Sequence, residues 1–149
     1  MKKLIFEYWT PVLVWLLAMF FFSTDMMSSG ETSRVIVPVL TFLFPGLPPG
    51  DIEVWHGVIR KFAHIAEYFI LAMLVYRSVK YEHPTLVDAK VRTIAFIGMV
   101  ALFDELHQSF TASRTASLFD VGYDWFGGVW ALWLVTTYEG RHLRPRSVL

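Results

Sequence analysis

Cysteine is absent from this 149-residue chain. Its absence excludes a disulfide framework, a thiolate metal centre and a thiol nucleophile, and leaves the redox compartment open. Charge is also scarce. Asp, Glu, Lys and Arg supply 17% of the residues, against roughly 25% in soluble globular domains. Thirteen acidic and thirteen basic side chains cancel, so there is no electrostatic case for a nucleic-acid partner. Internal repeats and low-complexity tracts are missing too. What the chain has in excess is apolar surface, at 55% of residues, including 13 Phe, 6 Trp and 6 Tyr. Too few polar side chains remain to coat a domain of this size, and so apolar a chain cannot stay disordered. A small integral membrane protein is expected.

A transmembrane helix needs about 20 mostly apolar residues. Four stretches meet or approach that requirement, at about 4–22, 59–79, 91–110 and 121–138. The expected fold is all-α, a compact bundle of four transmembrane helices in one membrane domain over 1–149. The first stretch follows Lys2 and Lys3 but precedes no small-x-small cleavage site. It reads as a retained helix rather than a signal peptide. Orientation follows the basic residues. Lys2, Lys3, Arg77, Lys80, Lys90, Arg92, Arg141, Arg144 and Arg146 fall on one side; Arg34, Arg60, Lys61 and Arg114 fall on the other. Both termini are therefore expected in the cytoplasm, with an outer loop over 23–58. Within that loop residues 35–44 are apolar around Pro38, and a Pro45-Gly46-Leu47-Pro48-Pro49-Gly50 string follows. Ten residues are too few to cross, so this segment should lie in the outer interface or re-enter the bundle.

The polar residues of the expected spans are not scattered. Lys61, His64, Glu67 and Tyr68 share one broad face of the second span, with Arg60 an i,i+4 partner of His64. Asp104, His107, Gln108 and Thr111 share a face of the third, with Glu105 beside it; Asp120, Asp124, Gly127, Gly128 and Ala131 align on the fourth. With the orientation above, all three faces lie at one level near the outer leaflet, forming a single outward-opening cluster. Each residue alone has a plainer explanation. Long cations snorkel, Asp120 suits a helix N-cap, and small residues let helices approach closely. Ionisable side chains gathered within a membrane are nevertheless functional by default.

The string Arg60-Lys61-Phe62-Ala63-His64-Ile65-Ala66-Glu67-Tyr68 resembles the K-x-x-H-x-x-x-Y element of the VanZ-like family. Asp104-Glu105-Leu106-His107-Gln108-Ser109-Phe110, followed by Arg114, resembles that family's D-E-x-x-Q-x-F...R element. Phe119-Asp120, with Asp124, Gly127 and Gly128, is similar to its closing D-x-x-x-N/D-x-x-G segment, and Phe22-Ser23-Thr24 is also similar. The likeness runs in order over about 5–135. It implies a multi-pass protein of the bacterial cytoplasmic membrane, in a family whose founding member is linked to reduced susceptibility to teicoplanin, a lipid-bearing glycopeptide antibiotic. The departure is Asp124, where many members carry Asn; it adds a second carboxylate and favours a metal or proton role.

Three functions of different class fit these residues. In the first, the cluster binds the head group of a membrane lipid, a lipid-linked cell-wall precursor or a lipoglycopeptide antibiotic. Lys61, Arg114 and Arg60 then supply charge-assisted donors, and Glu67, Glu105, Gln108 and Asp124 orient them and accept from hydroxyl or amide groups. The binding set is Lys61, His64, Glu67, Tyr68, Asp104, Glu105, Gln108, Arg114, Asp120 and Asp124, with an acyl chain against Phe62, Phe69 or Trp125. In the second, a membrane-embedded enzyme uses His64 as general acid or base, tuned by Glu67 or Glu105. Its weak point is the nucleophile, since neither Ser109 nor Ser113 sits in a recognisable elbow. In the third, the ion network only holds the helices together and the chain partners another membrane protein. The pairs His64-x-x-Glu67 and Asp104-x-x-His107 place possible metal ligands one turn apart, but that spacing is common by chance. No metal and no other cofactor are assigned.

Overall fold

The computed structural model describes residues 5–83, 85–110 and 118–142, and no strand occurs among them. A π-helical turn, Ile5–Trp9, leads into α1 (Thr10–Phe22). A 3-10 turn, Asp25–Met27, separates it from α2 (Ser29–Leu43); α3 (Pro49–Glu82), α4 (Leu86–Gln108) and α5 (Leu118–His142) follow. Local chemistry sets several of these limits. Pro11 and Pro49 stand in the first turns of α1 and α3, where a missing N–H costs nothing. The Ser28 hydroxyl accepts from the Glu31 N–H at 3.4 Å and caps α2.

At 34 residues, α3 is about 50 Å long and forms the spine of the bundle. Helix α5 runs parallel along it: His64 faces Asp124, Phe69 packs edge-on to Trp130, and Tyr76 meets Glu139. Helix α4 fills the remaining side. Tyr68, Leu71, Ala72 and Val75 of α3 are wholly buried against Ala89, Ile97 and Ala101 of α4 and Ala131 of α5, with Val12 closing the core from α1. The approach is close because Gly127 lies against the Ile65 backbone of α3 while Gly128 lies against the Ile97 side chain of α4.

A polar clamp secures the end of the bundle away from Asp124. Glu139 of α5 accepts from Tyr76 Oη at 2.8 Å and pairs with Lys80. Trp9 Nε1 donates to Glu82 at 2.7 Å, Ser78 Oγ donates to the Tyr8 carbonyl at 2.9 Å, and the rings of Tyr8 and Tyr81 stack at 4.3 Å. The outer faces of the helices are apolar. Leu13, Leu17 and Phe20 of α1, Met99, Leu102, Phe103 and Leu106 of α4, and Phe126 and Trp133 of α5 are each more than half exposed.

The structure changes the expected element map in three places. Five α-helices occur among the described residues rather than four. The additional one is α2, which takes up the segment expected at an interface; the Ser28 cap and Glu31 start it, and Pro38 is accommodated in its interior. Helix α3 begins at Pro49, ten residues before the expected span, so the loop over 23–58 is largely helical. The first expected span is broken into a π-turn and a 13-residue helix. By length and composition no single helix among the described residues is long and apolar enough to cross a membrane. The stretches Phe6–Phe22 and Asp25–Leu43 pass that test together, bent by 74°. Glu67, Asp104, Glu105 and Asp124 lie inside the other expected spans and lower their apolar character.

Candidate functional site

Three helices each deliver one ionisable side chain to the same place. His64 of α3, Asp104 of α4 and Asp124 of α5 bring one imidazole nitrogen and two carboxylate oxygens within 4.8 Å of one another. The packing that achieves this lies one turn away. Because Gly127 and Gly128 let α5 settle between α3 and α4, Asp124, three and four residues earlier, is carried inward to 1% exposure. His64 Nδ1 stands 3.5 Å from Asp124 Oδ1, with the His64 side chain a quarter exposed. Neither Asp124 oxygen nor His64 Nδ1 has a hydrogen-bond partner among the described residues, though all three atoms are sealed from solvent. Gln108, buried one turn along α4, donates from Nε2 to Asp104 Oδ2 at 2.9 Å. It holds that carboxylate in place.

Two cavities flank this group. A cleft of about 220 Å³ is lined by Phe22, Thr32, Arg60, His64 and Glu67. A larger groove, about 580 Å³, runs between α1 and α4 along Leu13, Leu17, Met99 and Phe103. Tyr68, Asp104 and His107 also line the groove, and the last two belong to its Phe20 end, where the rings of Phe20 and His107 stand 4.6 Å apart. Ser23 Oγ lies 3.4 Å from His107 Nδ1 at the same end. The Tyr68 ring is fully buried, and its hydroxyl has no partner among the described residues.

The remaining residues of the expected set are spread around this core. Glu67 is half-buried in the small cleft and Glu105 is buried beside Asp104 on α4. Lys61 is exposed at the rim, its Nζ 4.5 Å from the centre of the Tyr123 ring. Asp120 is half-buried in the first turn of α5, the third residue of the helix rather than its N-cap. Arg114 and Ser113 lie outside the described residues. The pairs suggested by one-turn spacing are not the grouping that forms: Glu67 and His107 stand outside the His64–Asp104–Asp124 trio. Phe62 and Trp125, expected as apolar walls, are exposed, and Phe69 is packed on Trp130 at 5.4 Å. The groove between α1 and α4 was not legible in advance, because α1 is apolar all round and shows no preferred face.

The architecture is an all-helical bundle with a histidine–carboxylate cluster buried where three helices meet. The chain belongs to the VanZ/LLP1 family, whose model matches residues 8–139. Comparison with curated proteins and with solved structures gave no match.

Proposed function

We propose that this chain is a membrane protein of the bacterial cell envelope that binds a lipid-bearing or lipid-linked amphiphile and thereby lowers susceptibility to teicoplanin. One observation carries the reading: the apolar groove between α1 and α4 reaches the polar cluster through Asp104, His107 and Tyr68. An acyl chain lies in that groove, and the head group sits over the trio with Lys61 at the rim; Arg114, outside the described residues, is the second cation the sequence offers. The broad apolar exposure on α1, α4 and α5 exceeds what a water-facing surface carries without a binding role. Tyr8, Trp9, Tyr81 and Tyr138 gather at the clamp end, as aromatic side chains do at a membrane–water boundary.

The scaffold alternative fits less well. A cluster that served only to glue helices would satisfy its own buried groups, whereas Asp124 accepts no hydrogen bond among the described residues. The enzyme alternative gains no support from its one described candidate nucleophile, Ser109, whose hydroxyl donates to the Leu106 carbonyl at 2.6 Å.

The test expresses wild type, Lys61→Ala and Arg114→Ala at equal levels in a susceptible bacterium and measures teicoplanin sensitivity, with co-purifying lipid identified by native mass spectrometry. Loss of one charge-assisted contact costs about 1.5–3 kcal/mol, roughly ten- to a hundredfold in affinity. Unchanged protection by both folded variants, with no lipid bound to wild type, rejects the head-group reading.

A further inference from the structure

We propose that His64, Asp104 and Asp124 form a binding site for one divalent cation of the zinc or manganese type. The geometry is that of a three-ligand site assembled from separate helices, with donor atoms within 4.8 Å of one another. Ligands at ~2.0–2.2 Å from a tetrahedral ion stand about 3.3–3.6 Å apart, so the trio reaches coordination distances with side-chain shifts of up to about an ångström.

The second observation is independent of that spacing. Asp124 is 1% exposed, and neither carboxylate oxygen accepts a hydrogen bond among the described residues. Leaving an ionised carboxylate in that condition is costly. The His64 imidazole relieves it only in part: its Nδ1 stands 3.5 Å from Asp124 Oδ1, within ion-pair distance but outside hydrogen-bond geometry. Two groups that face one space at that separation leave room for an ion between them. A proton would satisfy one Asp124 oxygen and nothing on Asp104, whereas a dication balances both carboxylates with His64 neutral.

The donor chemistry narrows the ion. One imidazole nitrogen with two carboxylate oxygens suits zinc, manganese or ferrous iron, while calcium and magnesium prefer oxygen alone. Gln108, holding Asp104 Oδ2 at 2.9 Å, has the place of an outer partner that orients a ligand. Three protein ligands leave coordination positions open. On the head-group reading, which this role for the ion rests on, those positions accept a phosphate or carboxylate oxygen that two bare carboxylates would repel.

The experiment uses the full chain in lipid nanodiscs. Zn²⁺ is titrated against a chromophoric chelator, and Mn²⁺ binding is followed by electron paramagnetic resonance. Wild type should bind one equivalent at micromolar concentration or below, and the metal should raise its thermal midpoint. Asp124→Asn and Asp104→Asn, which keep side-chain volume, should weaken binding at least tenfold and abolish the thermal shift. Gln108→Ala should weaken it about ten- to a hundredfold, as loss of an orienting partner does, while Glu139→Ala, at the opposite end of the bundle, should bind as wild type does. No binding by folded wild type at 100 µM metal (about a hundredfold above the expected range) overturns the proposal, as does unchanged binding by folded Asp124→Asn. Lipid bound with and without chelator is measured separately. Metal binding without any lipid would leave the ion site standing and remove its head-group role; lipid binding that ignores the chelator would remove that role as well.

Discussion

Gly127 of α5 lies directly on the backbone of Ile65 in α3. A β-carbon at position 127 would stand 3.1 Å from both Cα and the carbonyl carbon of Ile65, and closer still to its oxygen. Backbone cannot step aside as a side chain can. Gly127→Ala should therefore push α5 off α3 and destabilise the bundle by about 1–3 kcal/mol, the usual range for overpacking. At Gly128 the obstacle is the Cγ2 methyl of buried Ile97 at 2.8 Å, a smaller overlap than the backbone one, though a β-branched side chain in a helix has little rotamer freedom. Gly128→Ala should also destabilise, but by less. Thermal unfolding in detergent checks the order, and equal costs would mean that the α3–α5 contact is looser than described.

The clamp at the opposite end gives a control. Glu139 accepts from the buried Tyr76 hydroxyl and pairs with partly exposed Lys80. Removing its carboxylate strands the hydroxyl, a loss of about 1–3 kcal/mol; the Lys80 pair, screened by solvent, adds little. Glu139→Ala should lower thermal stability while leaving metal binding at the His64 trio unchanged. If it abolished metal binding in a folded protein, the two ends of the bundle would be coupled in a way no contact here explains.

How far the site could be read from the sequence depended on whether one helix or several had to be known. Spacing alone put Lys61, His64 and Tyr68 on one face and Asp104 with Gln108 on another, and the basic-residue asymmetry set those faces at one level. Which members meet was not legible, because the crossing of three helices decides it. The candidate ligand at 64 finds its partners at 104 and 124, not one turn away at 67. The element map erred where punctuation carried two meanings. Ser28-Ser29-Gly30-Glu31 reads as a turn, yet Ser-x-x-Glu is also how a helix begins. Pro48-Pro49-Gly50 reads as a loop, yet Pro at the first helical position starts α3.

Docking of α2 should weaken in acid. His56 of α3 lies 3.1 Å from Thr32 Oγ1 of α2. Burial holds its imidazole below the ordinary range, and the Arg60 charge one turn on acts in the same sense; Glu53 and His56 both line a cavity between α2 and the start of α3. A histidine whose folded pKa is depressed contributes stability that is present above the unfolded value near 6.5 and is lost as pH falls through the folded one. Hydrogen exchange of the α2 amides should accelerate between pH 7.5 and pH 5, and His56→Gln should flatten that dependence. Exchange that stays constant over this interval would remove His56 as the link.

Topology is open to direct labelling. On the proposed topology, with both termini in the cytoplasm, a cysteine at Gly30, where the backbone has room for a side chain, should react with an impermeant maleimide in intact cells. A cysteine at Glu82, at the clamp end, should react only after the membrane is opened. The natural chain has no cysteine, so each label reports one position. The reverse pattern would turn the cluster inward and end the outer-leaflet reading.

The path of the acyl chain separates the groove from the walls that the sequence suggested. Met99 lines the groove between α1 and α4 and is well exposed there, so Met99→Trp should fill part of its 580 Å³ without disturbing the core. Phe62 is equally exposed but lies outside that groove, and Phe62→Ala should be silent. Each methylene lost from burial is worth about 0.8 kcal/mol. Displacing only three or four of them from the groove should therefore reduce lipid affinity by about 2–3 kcal/mol, roughly 30- to 200-fold. Native mass spectrometry of the two variants in matched detergent should show bound lipid on Phe62→Ala and little on Met99→Trp, with teicoplanin protection following the same order. The opposite order, in proteins that unfold at the wild-type temperature, would move the chain to the α3–α5 side and leave the groove as a contact face between membrane helices.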